Sequence, residues 1–329
     1  MGGARVDVIR GERIESRHSV RFAICGPGSG DVRDDDAPVF LRSAAKPFQA
    51  AAIVQSGALD RLRLGDETLA IIAASHSGEA IHVSLVAGLL SRLGLDESAL
   101  RCGIHPPFHE PTAASLGGRF STLHHNCSGK HAGMLAAALA LGVPAASYLD
   151  ADGAVQRLMR RTVAAACGLP PQGVVVAIDG CGVATFAVPL ANAARAFALL
   201  ARPGEAPSEL REPLDRVSRA MRAHPRLVGG TARFDTRLME ASRGHLIAKG
   251  GAEGVEGIAD CEHGRGLCVK VCDGAARAVG PATLEALRDA GSIAEEALHV
   301  LDDLRRPVLQ NYAGTTVGRI EATIDTRPT

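Results

Sequence analysis

The chain has 329 residues, enough to bury a large core as one α/β unit or as two closely joined lobes. Its 36 basic residues are matched by 36 acidic ones, and the interspersed signs leave no electrostatic footprint for nucleic acid or an anionic membrane. The longest apolar stretch, residues 132–143, is too short to span a bilayer and is closed by Pro144. The opening Met1-Gly2-Gly3-Ala4-Arg5 lacks the apolar core of a signal peptide, and Val6 stands where a myristoylation signal needs serine or threonine, so a cytoplasmic protein is expected. The eight cysteines, at 25, 102, 127, 167, 181, 261, 268 and 272, form no CxxC pair. Reduced thiols, most of them buried as small apolar residues, are expected.

In chain order, residues 6–9 and 19–25 alternate or run apolar around Gly11 and predict an opening β-hairpin. Residues 26–30 and the acidic run Asp34-Asp35-Asp36 predict a solvated loop leading to an extended segment at 38–41. Apolar residues at helical spacing over 47–56 predict a helix that starts close to Ser43. Further helices are predicted over 67–74, 80–93, 131–141, 154–166, 190–200 and 208–221. Strand signals return at 173–178, 183–188, 246–248, 255–258, 267–271 and 276–279. Strands at both ends around a helical middle predict one catalytic unit over 1–329, its sheet built from the N- and C-terminal parts and a helical lobe in the middle.

Only four of the basic residues are lysine: Lys46, Lys130, Lys249 and Lys270. Arginine keeps a surface soluble equally well, so lysines that survive such a bias are candidates for chemistry. A guanidinium stays charged at any workable pH, whereas an amine neutralised by burial or by a cationic neighbour acts as a base or a metal ligand. Lys46, Lys130 and Lys249 lie in short polar segments: Ser43-Ala44-Ala45-Lys46, Asn126-Cys127-Ser128-Gly129-Lys130-His131 and Lys249-Gly250-Gly251-Ala252-Glu253-Gly254. Lys270 sits in an alternating apolar run and reads as a strand residue.

Ser43 and Lys46 form an S-x-x-K pair whose spacing places both side chains on one helical face, where a neutral amine takes the hydroxyl proton as the serine attacks a carbonyl. The competing reading makes Ser43 a helix cap and Lys46 a solvated first-turn residue. Ser75-His76-Ser77-Gly78-Glu79 groups two hydroxyls, an imidazole and a carboxylate for proton relay or substrate binding; a plain cap at Ser77 or Gly78 competes. Cys127 and Lys130 before one helix, with Asp179-Gly180-Cys181-Gly182 after a β-branched strand, offer two thiols, an amine and a carboxylate that suit zinc. No two of them form a zinc-finger pair, and a capping turn with a buried thiol competes. Cys261, His263, Cys268 and Cys272 also have ligand chemistry, but Cys268 and Cys272 lie four apart on a strand pattern and are expected to share a buried face.

Taken in order, these segments resemble the Rhizobium-type, thermolabile class of L-asparaginases, which is unrelated to the threonine-nucleophile enzymes. The likeness also covers Arg10-Gly11, Ile14-Glu15-Ser16-Arg17-His18, Phe40 to Ala50, His125 to Met134, His224-Pro225, Val228-Gly229-Gly230 and Arg233-Phe234-Asp235-Thr236. The resemblance implies an α+β fold similar to serine β-lactamases, penicillin-binding proteins and serine-type glutaminases: a mainly antiparallel sheet flanked by helices, with a helical lobe. It implies hydrolysis of L-asparagine by a cytoplasmic homodimer, with Ser43 and Lys46 as one serine-lysine pair and Ser75 and Lys249 as their companions. Zn2+ would be held by Cys127, Lys130 and Cys181, with Asp179 in or just outside its shell. Arg42 is the candidate for the substrate α-carboxylate, and Asp179 is grouped with it as substrate-binding. Another acyl-transfer hydrolase of this fold, a glutaminase or a β-lactam-binding enzyme, and a non-catalytic metal-binding protein are the alternatives. The missing S-D-N element weighs against a cell-wall role.

Overall fold

The computed structural model describes residues 4–27 and 36–324, so residues 28–35 of the expected loop lie outside the described residues. Among the described residues ten strands are formed: β1 (Arg5–Arg10), β2 (Arg13–Cys25), β3 (Val39–Phe40), β4 (Val175–Ile178), β5 (Ala184–Val188), β6 (Leu246–Gly251), β7 (Val255–Asp260), β8 (Arg265–Val271), β9 (Val308–Gln310) and β10 (Thr316–Thr323). Seven make one sheet in the order β6-β7-β8-β2-β1-β10-β9, and β3-β5-β4 make a second. Every pairing is antiparallel. The class is therefore α+β, with helices packed around antiparallel sheets.

The hairpin turns at Gly11, whose φ of +56° suits a residue without a side chain. Strand β2 is long enough to serve two neighbours. Its first half pairs with β1, and from Val20 to Cys25 it pairs with β8, which joins the N-terminal hairpin to the C-terminal strands. Helix Leu190–Ala201 lies against β2, β7 and β8. Two glycines leave room for it: a Cβ on Gly266 would stand 1.9 Å from the Ala194 carbonyl oxygen, and one on Gly257 2.0 Å from the Phe197 ring. Phe197 then meets Phe48 edge-on at 5.2 Å, linking this layer to helix Lys46–Gln55.

That helix and helix Ser128–Ala140 are the buried centre of the molecule, and small residues allow their close approach. A Cβ on Gly133 would meet Ile53 and Ile72 within 3.0 Å, and one on Gly129 would stand 2.2 Å from the Ile71 carbonyl oxygen. Lys46 and Lys130, each in the first turn of its helix, are thereby carried into the interior. Among the described residues no helix is long and apolar enough to cross a membrane.

Several local expectations are corrected. Residues 276–279 are not a strand: a turn at Ala276–Ala278 leads into helix Val279–Asp289, whose Ala282, Leu284, Ala286 and Leu287 supply the buried face. The short valine-containing run misled because it is the entry to a longer helical pattern. The cap after the Ser75 segment is Glu79, whose N–H bonds His82 Nδ1 at 3.1 Å, rather than Ser77 or Gly78. Cys268 is buried, but β8 ends before Cys272, which is exposed, so the two share no buried face.

Candidate active site

Both bland readings of the S-x-x-K segment fail. Ser43 lies inside a 3-10 turn, Arg42–Ala45, without acting as a cap, and Lys46 is 0% exposed. The turn is held by the Leu41 N–H on the Phe186 carbonyl and by the close approach of Gly251, where a Cβ would stand 2.5 Å from the Leu41 carbonyl oxygen. Arg42 has a φ of +50°, an uncommon conformation for a side-chain-bearing residue. Ser43 is half-buried, and its hydroxyl makes no hydrogen bond among the described residues.

Lys46 Nζ donates to the Ala74 carbonyl at 2.6 Å, to Ser75 Oγ at 3.0 Å and to the Asn126 carbonyl at 3.1 Å. The amine thus grips Ser75 directly, whereas the expected Ser43 contact is not formed in this state. Burial draws the Lys46 pKa down to about 8; Cys127 opposes the shift, and the charges of Lys130 and Lys249 reinforce it. Ser75 is fixed by its N–H on the Val228 carbonyl, and the rest of its turn is stapled to the same loop. Ser77 donates to the Gly229 carbonyl at 2.8 Å, and the Glu79 carboxylate accepts from the Thr231 N–H and hydroxyl, both at 2.7 Å. His76 is a neutral spacer: burial, with His82 and Lys46 nearby, holds its pKa well below the usual value, and its Nε2 bonds Ser128 Oγ at 2.9 Å.

Lys249, on β6, is 0% exposed and donates to the Gly250 carbonyl at 2.7 Å, with Asp235 Oδ2 3.5 Å away. Asp235 also accepts the Gly250 N–H at 3.0 Å. Burial pulls the Asp235 pKa up, but Lys249 and the Gly250 N–H outweigh it and leave it low. Glu256 shares this space: a Cβ on Gly250 would stand 2.9 Å from Glu256 Oε2 and 3.2 Å from Asp235 Oδ1. Burial and the neighbouring Asp235 push the Glu256 pKa well up, and its Oε1 is buried without a hydrogen-bond partner among the described residues. This carboxyl pair escaped the sequence reading, although a lone glutamate inside the apolar run of β7 is its signal.

The third group is built from the start of helix Ser128–Ala140 and the β4–β5 turn. Gly182, with φ of +86°, and the Asp179 N–H on the Val183 carbonyl make that turn tight and display Cys181 inward. Lys130 Nζ lies 3.2 Å from Cys181 Sγ, and Cys127 is a close electrostatic neighbour of both. The neighbouring Cys181, with Lys46 and Lys130 and against burial, draws the Cys127 pKa down, while the neighbouring Cys127, with burial, pushes that of Cys181 up. Burial works against charge on Lys130, but Cys127, Cys181 and Asp179 outweigh it. Asp179 accepts from Arg42 Nε at 2.7 Å. Two thiols and an amine converge here, a donor set that fits zinc. Among the described residues no group of three His, Cys, Asp or Glu side chains is placed to hold a metal ion.

Among the cavities of the described residues two are informative: one, about 850 Å³, is lined by Ser242, His245, Glu262, His263, Ser292 and Glu296 and holds none of these groups. The other, about 420 Å³, borders the site through Arg42, with Phe40, Ile178, Thr185, Glu253 and Lys270.

The family model described as L-asparaginase II matches residues 6–322. The chain belongs to the L-asparaginase II family. It is an enzyme of the L-asparaginase type, an amidohydrolase, and the buried serine-lysine centre lies within the matched span. No curated protein matches the chain. Among solved structures, a crystal structure from Bacteroides dorei DSM 17855, provisionally described as a beta-lactamase, is similar at 13% identity over 87% of this chain and 94% of that one, with a TM-score of 0.41. So loose a likeness carries no argument about chemistry.

Proposed function

We propose that this L-asparaginase II family member hydrolyses the side-chain amide of L-asparagine to L-aspartate and ammonia, with Ser43 as nucleophile and Lys46 as its base. The observation that carries the reading is the fully buried Lys46 amine, drawn down to about 8, one turn from Ser43 and in contact with the hydroxyl of its companion Ser75. Ser43 is half-buried and its hydroxyl makes no hydrogen bond among the described residues, as a nucleophile that must reach substrate requires. Its attack on the amide carbon forms the C–O bond while Lys46 accepts its proton. Ser75, held by the same amine, passes a proton to the departing nitrogen as the C–N bond breaks and ammonia leaves. Water then attacks the acyl-enzyme, returning the Ser43 proton and releasing L-aspartate. Lys249, paired with Asp235, serves as a fixed positive charge for the developing oxyanion.

Cys127, Lys130 and Cys181 would hold the zinc ion. When bound, zinc supplies a Lewis acid and a fixed charge beside the site. Arg42, bound to Asp179, ties the β4–β5 turn that carries Cys181 to the Ser43 turn.

Ammonia release from L-asparagine is expected to run much faster than from L-glutamine in the purified protein. Equal rates, or release from glutamine alone, would reject the substrate.

A further inference from the structure

An amino-acid amide carries an α-carboxylate three bonds from the carbon that is attacked, and selecting it calls for a cation that is not already neutralised. The cations around the two serines are almost all engaged. Lys46 has three acceptors, Lys130 has Cys181, Lys249 has Asp235 and the Gly250 carbonyl, and Arg42 has Asp179 at 2.7 Å. Arg226 bonds Thr231 and lies near Glu79.

Arg233 is the exception. Its guanidinium makes no hydrogen bond and no ion pair among the described residues; it stacks over the Phe108 ring, with Cζ 5.0 Å from the centroid. Stacking fixes the plane of an arginine while leaving its N–H edge open, the arrangement that suits two-pronged carboxylate binding.

Two independent routes place Arg233 beside the reacting groups. On one side it is two residues from Asp235, the partner of Lys249, and a Cβ on Gly229 would lie 3.2 Å from its own Cβ; the Gly229 carbonyl takes the Ser77 hydroxyl. On the other, Phe108 stacks on His105 at 4.9 Å, and His105 Nε2 accepts the Asn126 N–H at 3.0 Å. The Asn126 carbonyl in turn holds Lys46 Nζ. We infer that Arg233, braced by Phe108, binds the α-carboxylate of the substrate and thereby restricts this centre to amides of α-amino acids. The inference rests on the asparaginase reading above and replaces Arg42 in that role.

The test uses competitive inhibition of asparagine hydrolysis by L-aspartate and by β-alanine, which is aspartate without its α-carboxylate. Arg233→Gln is expected to raise the KM for L-asparagine and the Ki for L-aspartate by roughly 100-fold, as the loss of one partner of a hydrogen-bonded charge pair does. The Ki for β-alanine should change by less than about threefold. Arg233→Lys, which keeps the charge and loses the fork, should fall between wild type and Arg233→Gln. An unchanged L-aspartate Ki, or a parallel rise for both inhibitors, overturns the role, the second outcome meaning that Arg233 only shapes the loop. If Arg233→Gln does not fold, the Arg233→Lys ratio of the two inhibition constants decides alone. Wild-type protein that leaves L-asparagine intact would instead sink the asparaginase reading.

Discussion

At the scale of single residues, the chemistry turns on whether Lys46 can shed its proton. Burial brings its pKa to about 8. Lowering the pH below that value protonates the amine and removes the base, so kcat/KM is expected to rise with pH through about 8 and level off above it. Ser43→Ala and Lys46→Arg should each reduce turnover by on the order of 10^3 or more, and the double variant should be little worse than either alone, as for groups acting in one step. Ammonia release across about pH 6 to 10, with circular dichroism to verify folding, checks both; near-normal turnover by folded Lys46→Arg removes Lys46 as the base. The importance of Lys46, Lys130 and Lys249 was legible in composition, since a chain that replaces surface lysine with arginine retains the amines that arginine cannot imitate. All three are buried. Asp235, Glu256 and the free guanidinium of Arg233 were not legible as chemistry. Their meaning lies in which charge neutralises which across β6, β7 and the loop after Val228, and that pairing has no linear spacing.

At the scale of elements, the middle helices were readable because each carries an apolar face, β4 because a β-branched run marks it, and β6, β7 and β8 because short apolar stretches lie between glycines. Helix Val279–Asp289 was misread at its entry, and β9 and β10 gave no apolar run: β9 is a three-residue edge strand, and exposed or half-buried polar residues interrupt β10. What holds the helical layer at the right height over the sheet is absence of side chains. A methyl on Gly266 would enter the backbone of helix Leu190–Ala201, which cannot yield as a flexible side chain does. Gly266→Ala is therefore expected to destabilise the protein by about 3 kcal/mol, the upper range for overpacking. Gly88, inside helix Ala80–Arg92 with open space around its Cβ position, provides the contrast: Gly88→Ala should be neutral or stabilising by up to about 1 kcal/mol. Urea midpoints at constant slope measure both, and equal effects would refute the account of why the helix sits where it does.

For the molecule as a whole, the donor group of Cys127, Lys130 and Cys181 ties two parts that are far apart in sequence. Cys127 and Lys130 belong to the buried helix at the centre of the fold, and Cys181 to the turn of the small sheet, which also reaches the Ser43 turn through Asp179 and Arg42. A metal bound there crosslinks the helical layer to the small sheet, and its affinity becomes folding stability by mass action. Free metal at about a hundredfold over its Kd contributes about 2.7 kcal/mol. Wild-type protein is thus expected to carry about one zinc per chain, and a strong chelator should lower its melting temperature and its affinity for substrate together. Cys181→Ser and Lys130→Arg should start at the lower melting temperature and respond little to chelator, the second despite keeping its charge, because guanidinium offers no neutral amine to a metal. Cys268→Ser, buried between β2 and β7 and away from the donors, should retain both zinc and the chelator response. Elemental analysis beside thermal melts separates these outcomes: zinc kept by Cys181→Ser and lost by Cys268→Ser would move the metal to the other side of the molecule and with it the link between metal binding and the serine-lysine centre.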